Sequence, residues 1–115
     1  MAHIRSNFSY EDEYIRLTRG DTLSFGFIIE GVTDIDSAYF TCKKDYTDEE
    51  ILFKKSLGHG ISKTDEGYVV RVAPEDTEGA EIGKYFYDLQ IGIGDDVYTV
   101  LKGVFEIEYE VTLDK

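Results

Sequence analysis

The sequence predicts an all-β fold, an antiparallel β-sandwich of about seven or eight strands, and three observations carry that expectation. Apolar and polar residues alternate at period two through most of the chain, and no stretch shows the repeat of an amphipathic helix. The alternating runs are short and are separated at regular spacing by Gly- and Asp-containing turns. Hydrophobic residues make up 42% and aromatics 14% of the 115 residues and are spread along the whole chain. That is enough for one core and too little chain for two.

Each element follows from its own pattern. Residues 1–12 are expected to form a flexible N-terminal arm, polar apart from Ile4, Phe8 and Tyr10, and residues 13–115 a single sandwich domain. A short strand is expected from Tyr14 to Thr18, and Arg19-Gly20-Asp21 supplies a tight connection to the next. There Leu23, Phe25, Phe27 and Ile29 alternate with Thr22, Ser24, Gly26 and Ile28, the mark of a strand with one buried face. Ala38, Phe40 and Cys42 alternate with Tyr39, Thr41 and Lys43 in the same way. A shorter strand is expected from Ile51 to Lys55, after which Gly58-His59-Gly60 and Asp65-Glu66-Gly67 punctuate the chain. Tyr68, Val70 and Val72 form the apolar side of the following strand.

The single proline, Pro74, opens Pro-Glu-Asp-Thr-Glu-Gly, a segment suited to one helical turn because proline's fixed φ fits the first helical position. Tyr85, Tyr87, Leu89, Ile91 and Ile93 then line one face of a long strand. Gly94-Asp95-Asp96 turns the chain, with Gly supplying a positive φ and Asp accepting local backbone hydrogen bonds. Two further strands are expected: one from Val97 to Lys102, and a last one with Phe105, Ile107, Tyr109 and Val111 on one side and Glu106, Glu108 and Glu110 on the other. Within this order, Glu81-Ile82-Gly83-Lys84-Tyr85 resembles the corner at which immunoglobulin-like sandwiches place a Tyr whose hydroxyl bonds back to the backbone. The expected sandwich is therefore immunoglobulin-like, although the chain has no Trp and no cysteine pair.

Net charge is −12, from 24 acidic and 12 basic residues. A field of that sign repels phosphate backbones and anionic lipid, so neither nucleic acid nor membrane is an expected partner. No apolar run approaches the roughly 18 residues that span a bilayer, and the N-terminal residues lack the apolar stretch of a secretory signal. The expectation is a soluble protein that stays on the cytoplasmic side until lysis.

No catalytic, cofactor-binding or metal site is expected. Arg19-Gly20-Asp21 matches a cell-adhesion tripeptide but sits where a strand connection needs Gly and Asp. His3 and His59 are the only histidines, with no nucleophile or second ligand at useful spacing, and read as solvated loop residues. Cys42 is the only cysteine, so no intramolecular disulfide forms, and its place beside Ala38 and Phe40 reads as core. Acidic runs at Glu11-Asp12-Glu13, Asp34 to Asp36, Asp48-Glu49-Glu50, Glu75-Asp76 and Asp95-Asp96 lack calcium-loop spacing. Only two runs meeting at one end of the sandwich would hold a cation, and weakly. Asn7-Phe8-Ser9 fits the glycosylation pattern, which has no consequence without a secretion signal. Glu106, Glu108 and Glu110 read as a solvated face guarding against edge association, or as a docking stripe for a basic partner. Tyr39, Phe86 and Tyr98 fall opposite the main apolar stripes and form either a second core layer or a contact patch.

The order of motifs carries a resemblance. Ile15-Arg16-Leu17 is followed by Arg19-Gly20-Asp21-Thr22, a strand around Ala38-Tyr39-Phe40, and Pro74-Glu75-Asp76-Thr77. Gly83-Lys84-Tyr85-Phe86-Tyr87-Asp88-Leu89, a hairpin and Leu101-Lys102-Gly103-Val104-Phe105 complete it. Over residues 14–112 this resembles the N-terminal domain of baseplate upper proteins, and related small structural proteins, of phages and prophages of Gram-positive bacteria. The resemblance implies an immunoglobulin-like sandwich that works by protein–protein assembly with other virion proteins and as a homo-oligomer. It further implies a location in the host bacterial cytoplasm during assembly and then in the virion. It supplies no catalytic residue. The sequence ends soon after Thr112 with no coiled-coil stem or receptor-binding head, which leaves a stand-alone minor virion protein or a role unlike the family's. A carbohydrate-binding sandwich module, suggested by the abundant Tyr, is the alternative function.

Overall fold

A computed structural model describes residues 2–4, 11–12, 14–29, 31, 34–47 and 49–111. The period-two runs form strands β1 (Ala2–Ile4), β2 (Glu11–Asp12), β3 (Ile15–Thr18), β4 (Leu23–Ile29), β5 (Ser37–Lys43) and β6 (Ile51–Leu57). They continue as β7 (Gly60–Lys63), β8 (Tyr68–Val72), β9 (Gly83–Ile93) and β10 (Asp96–Glu108), with one helical turn, α1 (Pro74–Thr77), before β9. Two pieces of the expected N-terminal arm pair with the sheet, Ala2–Ile4 alongside β4 and Glu11–Asp12 alongside β10. The rest of that arm lies outside the described residues.

Hydrogen bonding runs in the order β1-β4-β8-β7-β6-β5-β9-β10-β2, with β3 also on β10. The path folds over on itself as a sandwich. Phe25 of β4 and Phe40 of β5 meet ring to ring at 5.4 Å although three strands separate β4 from β5 along the path. The fold-over comes at the junction of β6 and β7, which share only the pairs Ser56↔Gly60 and Leu57↔Ile61. Gly58 and Gly60 sit there at φ of 85° and 101°, a conformation that side chains with a Cβ resist. One layer is thus β1, β4, β8 and β7; the other is β6, β5, β9 and β10 with β2 and β3 at its margin. Phe27, Phe40, Phe105, Leu89, Ile91 and Leu101 fill the space between them, each almost wholly buried.

The sandwich departs from the sequence reading in four details. The 10-stranded sheet is mixed, because β1, β2, β3 and β7 run parallel to their neighbours. Most of these pairs are joined by no hairpin, so nothing forces an antiparallel course. Strand β7 went unforeseen because only Ile61 of its residues is buried and no alternation marks it. The two expected C-terminal strands are one continuous β10, paired with β9 through a register shift between Thr99 and Leu101. That shift leaves Val100 as an extra residue, and an extra residue reverses which side chains face inward. Val100 and Leu101 are accordingly both buried. Finally, β10 stops at Glu108, so Tyr109 and Val111 are 74% and 98% exposed and do not continue the apolar face.

Side-chain hydrogen bonds knot the β3–β4 turn, α1 and the segment leading into β9 together. The Gly20 N–H donates to the Thr77 Oγ1 at 2.8 Å, tying the β3–β4 turn to α1, and Thr77 is fully buried. Arg19 donates from Nη2 to Glu110 Oε1 at 2.7 Å and from Nη1 to the Ala80 carbonyl at 3.1 Å. Asp76 Oδ2 accepts the Ala73 N–H at 2.7 Å, satisfying a free donor at the start of α1, and pairs with Lys55 Nζ at 2.7 Å. The Tyr85 hydroxyl donates to the Glu81 carbonyl at 2.9 Å, which is the tyrosine corner expected from Glu81-Ile82-Gly83-Lys84-Tyr85.

Candidate functional site: the outer face of the second layer

With Ala38, Phe40 and Cys42 of β5 and Tyr85, Tyr87, Leu89 and Ile91 of β9 turned inward, their neighbours must face outward. Register then sets which outward residues share a row. Tyr39 pairs with Ser56 and Gln90, and Gln90 with Thr99. The next row is Lys54, Thr41, Asp88 and Lys102, and the one beyond joins Lys43, Phe86 and Val104. Tyr46, from the turn after β5, lies against Phe86 with ring centroids 4.3 Å apart and is 51% exposed. Lys54 Nζ stands 4.7 Å over the Tyr39 ring and Lys102 Nζ 5.2 Å over the Tyr46 ring, so the lysines and rings form one cation–π surface.

A shallow hollow of about 70 Å³ opens among Thr41, Lys43, Tyr46, Phe86 and Asp88. Burial raises the Asp88 carboxyl above its ordinary pKa, against the opposing pull of Lys102, Lys43 and Lys54. The face is thus aromatic and cationic on a chain whose net charge is −12. Of the residues singled out in the sequence, Tyr39 and Phe86 belong to this patch. Tyr98 does not: it pairs with buried Ile91 and packs against the core.

The remaining candidates are dispersed. Arg19 and Gly20 are engaged in the knot described above, and Asp21 N–H closes the turn on the Thr18 carbonyl at 3.0 Å. His59 is exposed in the β6–β7 turn, and His3 lies in β1 with its Cα opposite Ile28. Cys42 is fully buried, and burial pushes its thiol pKa up to about 12. Glu110 is held by Arg19, and Glu106 bonds the Tyr14 hydroxyl and pairs with Arg16 at 3.7 Å, so the Glu106, Glu108 and Glu110 stripe is only partly solvated.

Among the acidic runs, Asp34 pairs with Lys63, Asp36 Oδ2 accepts the Gly94 N–H at 2.6 Å, and Asp76 serves α1. Asn7, Glu13 and Asp48 fall outside the described residues. Among the described residues no group of three or more His, Cys, Asp or Glu converges as a metal site, and every buried side-chain N or O has a partner. A groove of about 420 Å³ beside the tyrosine corner, between Lys44, Glu50, Leu52, Glu81 and Tyr85, mixes both charges, with Lys44 Nζ 4.7 Å over the Tyr85 ring. Among the described residues no helix is long and apolar enough to cross a membrane.

Sequence reasoning placed Tyr39 and Phe86 correctly but missed the lysines. Lys43, Lys54 and Lys102 come from three strands, and only cross-strand register gathers them. The fold and this face define an all-β sandwich that presents an aromatic and cationic sheet surface. Neither a protein-family model nor any curated protein matches the chain.

Proposed function

We propose that the chain is a structural component of a phage or prophage particle, in its tail, baseplate or neck, and acts by protein–protein assembly with other virion proteins and with copies of itself. The observation that carries this reading is the outer face of β6, β5, β9 and β10, where Tyr39, Tyr46 and Phe86 stand among lysines. Exposed aromatics gathered on one face are the usual anchors of a protein interface, whereas scattered ones need no explanation. The motif order supports the particular class. Arg19, Gly20 and Thr77 are used in holding the sandwich together, which leaves the face for contact. On this reading the chain is made in the host cytoplasm and ends in the virion.

Carbohydrate binding is the second reading, favoured by the exposed Tyr39 and Tyr46. The lysines over both rings oppose it, because they occupy the faces on which a sugar would stack. Mass spectrometry of particles purified by density gradient from a culture that makes the chain tests the proposal. The chain is expected in the particle at a fixed ratio to the tail proteins; its confinement to the soluble fraction overturns the reading.

A further inference from the structure

We infer that the open edge of β6 pairs antiparallel with the same edge of a second copy of this chain, closing a two-fold dimer whose β6, β5, β9 and β10 layers form one continuous sheet. The inference rests on the assembly reading above and adds to it the strand through which copies join.

Among the described residues, β7 pairs with β6 only at Ser56 and Leu57, so no strand lies beside Ile51 to Lys55 on that side. Ile51 is 42% exposed, and with Leu52 it lines the groove of about 420 Å³ instead. Backbone direction along this edge follows from register. Tyr39, Thr41 and Lys43 are alternate residues of β5, so their pairs with Ser56, Lys54 and Ile51 are of one kind. The Ser56 N–H donates to the His59 carbonyl at 3.0 Å and the Ser56 carbonyl accepts the His59 N–H at 2.8 Å, so Ser56 turns its backbone away from β5. Lys54 and Ile51 therefore do the same, and their N–H and C=O groups point out of the sheet's edge. Their side chains also share the outer face, since Leu52 is an extra residue in the pairing and packs toward the core with Phe53.

A bare strand edge takes another strand, and its charges choose which. Glu49-Glu50-Ile51-Leu52-Phe53-Lys54-Lys55 runs from acids through apolar residues to lysines. Rotated onto its own copy about a point between Leu52 and Phe53, this segment sets Lys54 of each copy opposite Ile51 of the other. Outward side chains then meet outward ones, edge-pointing backbone meets edge-pointing backbone, and Leu52 lies opposite Phe53 on the core side. Glu50 falls opposite Lys55 and Glu49 diagonal to Lys54, and the two-fold makes each contact twice. Lys55 already holds Asp76 at 2.7 Å, whereas Lys54 and Glu49 are exposed, so the new attraction is chiefly between those two.

A parallel copy would set acid beside acid and lysine beside lysine, and a slip of one residue would bring inward side chains against outward ones. Lysines and a bulge on an edge discourage pairing in general. The acids at the other end of the same strand lift that barrier for an antiparallel copy alone. The axis stands perpendicular to the sheet, so the outer faces of both copies, with Tyr39, Tyr46 and Phe86, look the same way and make one larger surface. Contact through one short strand buries less than a standard interface, so the dimer is weak and depends on concentration.

Sedimentation velocity over a wide concentration range tests the inference. Wild type is expected to pass from monomer to dimer and stop there, because pairing uses up the edge. Lys54→Pro removes the N–H that points at the other copy and no bond to β5. Glu49→Lys with Glu50→Lys reverses the acids at two exposed positions. Each should weaken dimerisation about tenfold or more, and an unchanged far-UV circular dichroism spectrum of the second variant separates lost pairing from lost folding. Lys54 of the two copies stand three residues apart along the paired strands, roughly 10 Å. Lys54→Cys should therefore be joined to its copy by a short bismaleimide, while Gln90→Cys on the outer face and Ser62→Cys on β7 should not. A wild type that stays monomeric, variants that dimerise like wild type, or cross-linking from Gln90→Cys or Ser62→Cys equal to that from Lys54→Cys overturns the inference. Particle incorporation of a monomeric wild type would remove the dimer alone; a dimer absent from particles would remove the virion role alone.

Discussion

Replacing Thr77 by Val deletes one hydroxyl and keeps the side chain's shape. Thr77 is fully buried, and its Oγ1 accepts the N–H of Gly20, itself buried, at 2.8 Å across a separation of 57 residues. Thr77→Val leaves that N–H without a partner in a place water does not reach. An unsatisfied buried donor costs about 1–3 kcal/mol, and we take about 2 kcal/mol. A domain of 115 residues loses about 4 °C of thermal midpoint per kcal/mol, so the midpoint should fall by roughly 8 °C. Thr77→Ser is the control: it keeps the acceptor and loses one buried methyl, about 0.8 kcal/mol, or roughly 3 °C. Thermal unfolding followed by far-UV circular dichroism, with urea titrations to confirm an unchanged m value, measures both. A Thr77→Val protein as stable as wild type, or a Thr77→Ser protein less stable than Thr77→Val, refutes the claim that the two motifs are tied through this hydroxyl.

Other predictions follow from the same contacts. Tyr85→Phe keeps the buried ring and removes the hydroxyl that reaches the Glu81 carbonyl; since Glu81 is exposed and water replaces the bond, the loss in urea titration should be about 1 kcal/mol, and no loss would contradict the corner's role. With its pKa pushed up to about 12, Cys42 should react with an aromatic disulfide reagent at pH 8 only as fast as the chain unfolds, so rapid labelling of the native protein would contradict its burial. Asp88 holds its proton more tightly in the folded chain than in the unfolded one. Stability should therefore fall as pH rises from about 4 through its raised folded value and level off above it. Asp88→Asn should lack that decline, and a wild type that gains stability over the variant across the same window would reverse the sign.

The strands of the core were legible because each presents one buried face, and alternation reports burial directly. Tyr85 was legible for a different reason, since its hydroxyl finds a carbonyl four residues back and both partners lie in one short motif. Strand β7 was not, because one buried Ile61 among polar neighbours makes no pattern. Tyr98 was misplaced by the extra residue Val100, and Tyr109 and Val111 by the early end of β10, neither of which leaves a trace in residue type. The knot between Gly20 and Thr77 was visible only as two motifs, not as a contact. The lysine rows of the outer face depend wholly on strand register, so Tyr39 and Phe86 marked the place while the cations around them stayed hidden.

Lysine acetylation read by mass spectrometry, compared between the free chain and the assembled particle, tests most directly whether the chain works through this face. Lys43 and Lys54 should be protected several-fold on assembly while Lys63, exposed on the opposite layer, labels equally in both states. Equal labelling of Lys43 and Lys54 in the two states, or protection confined to Lys63, would contradict the account.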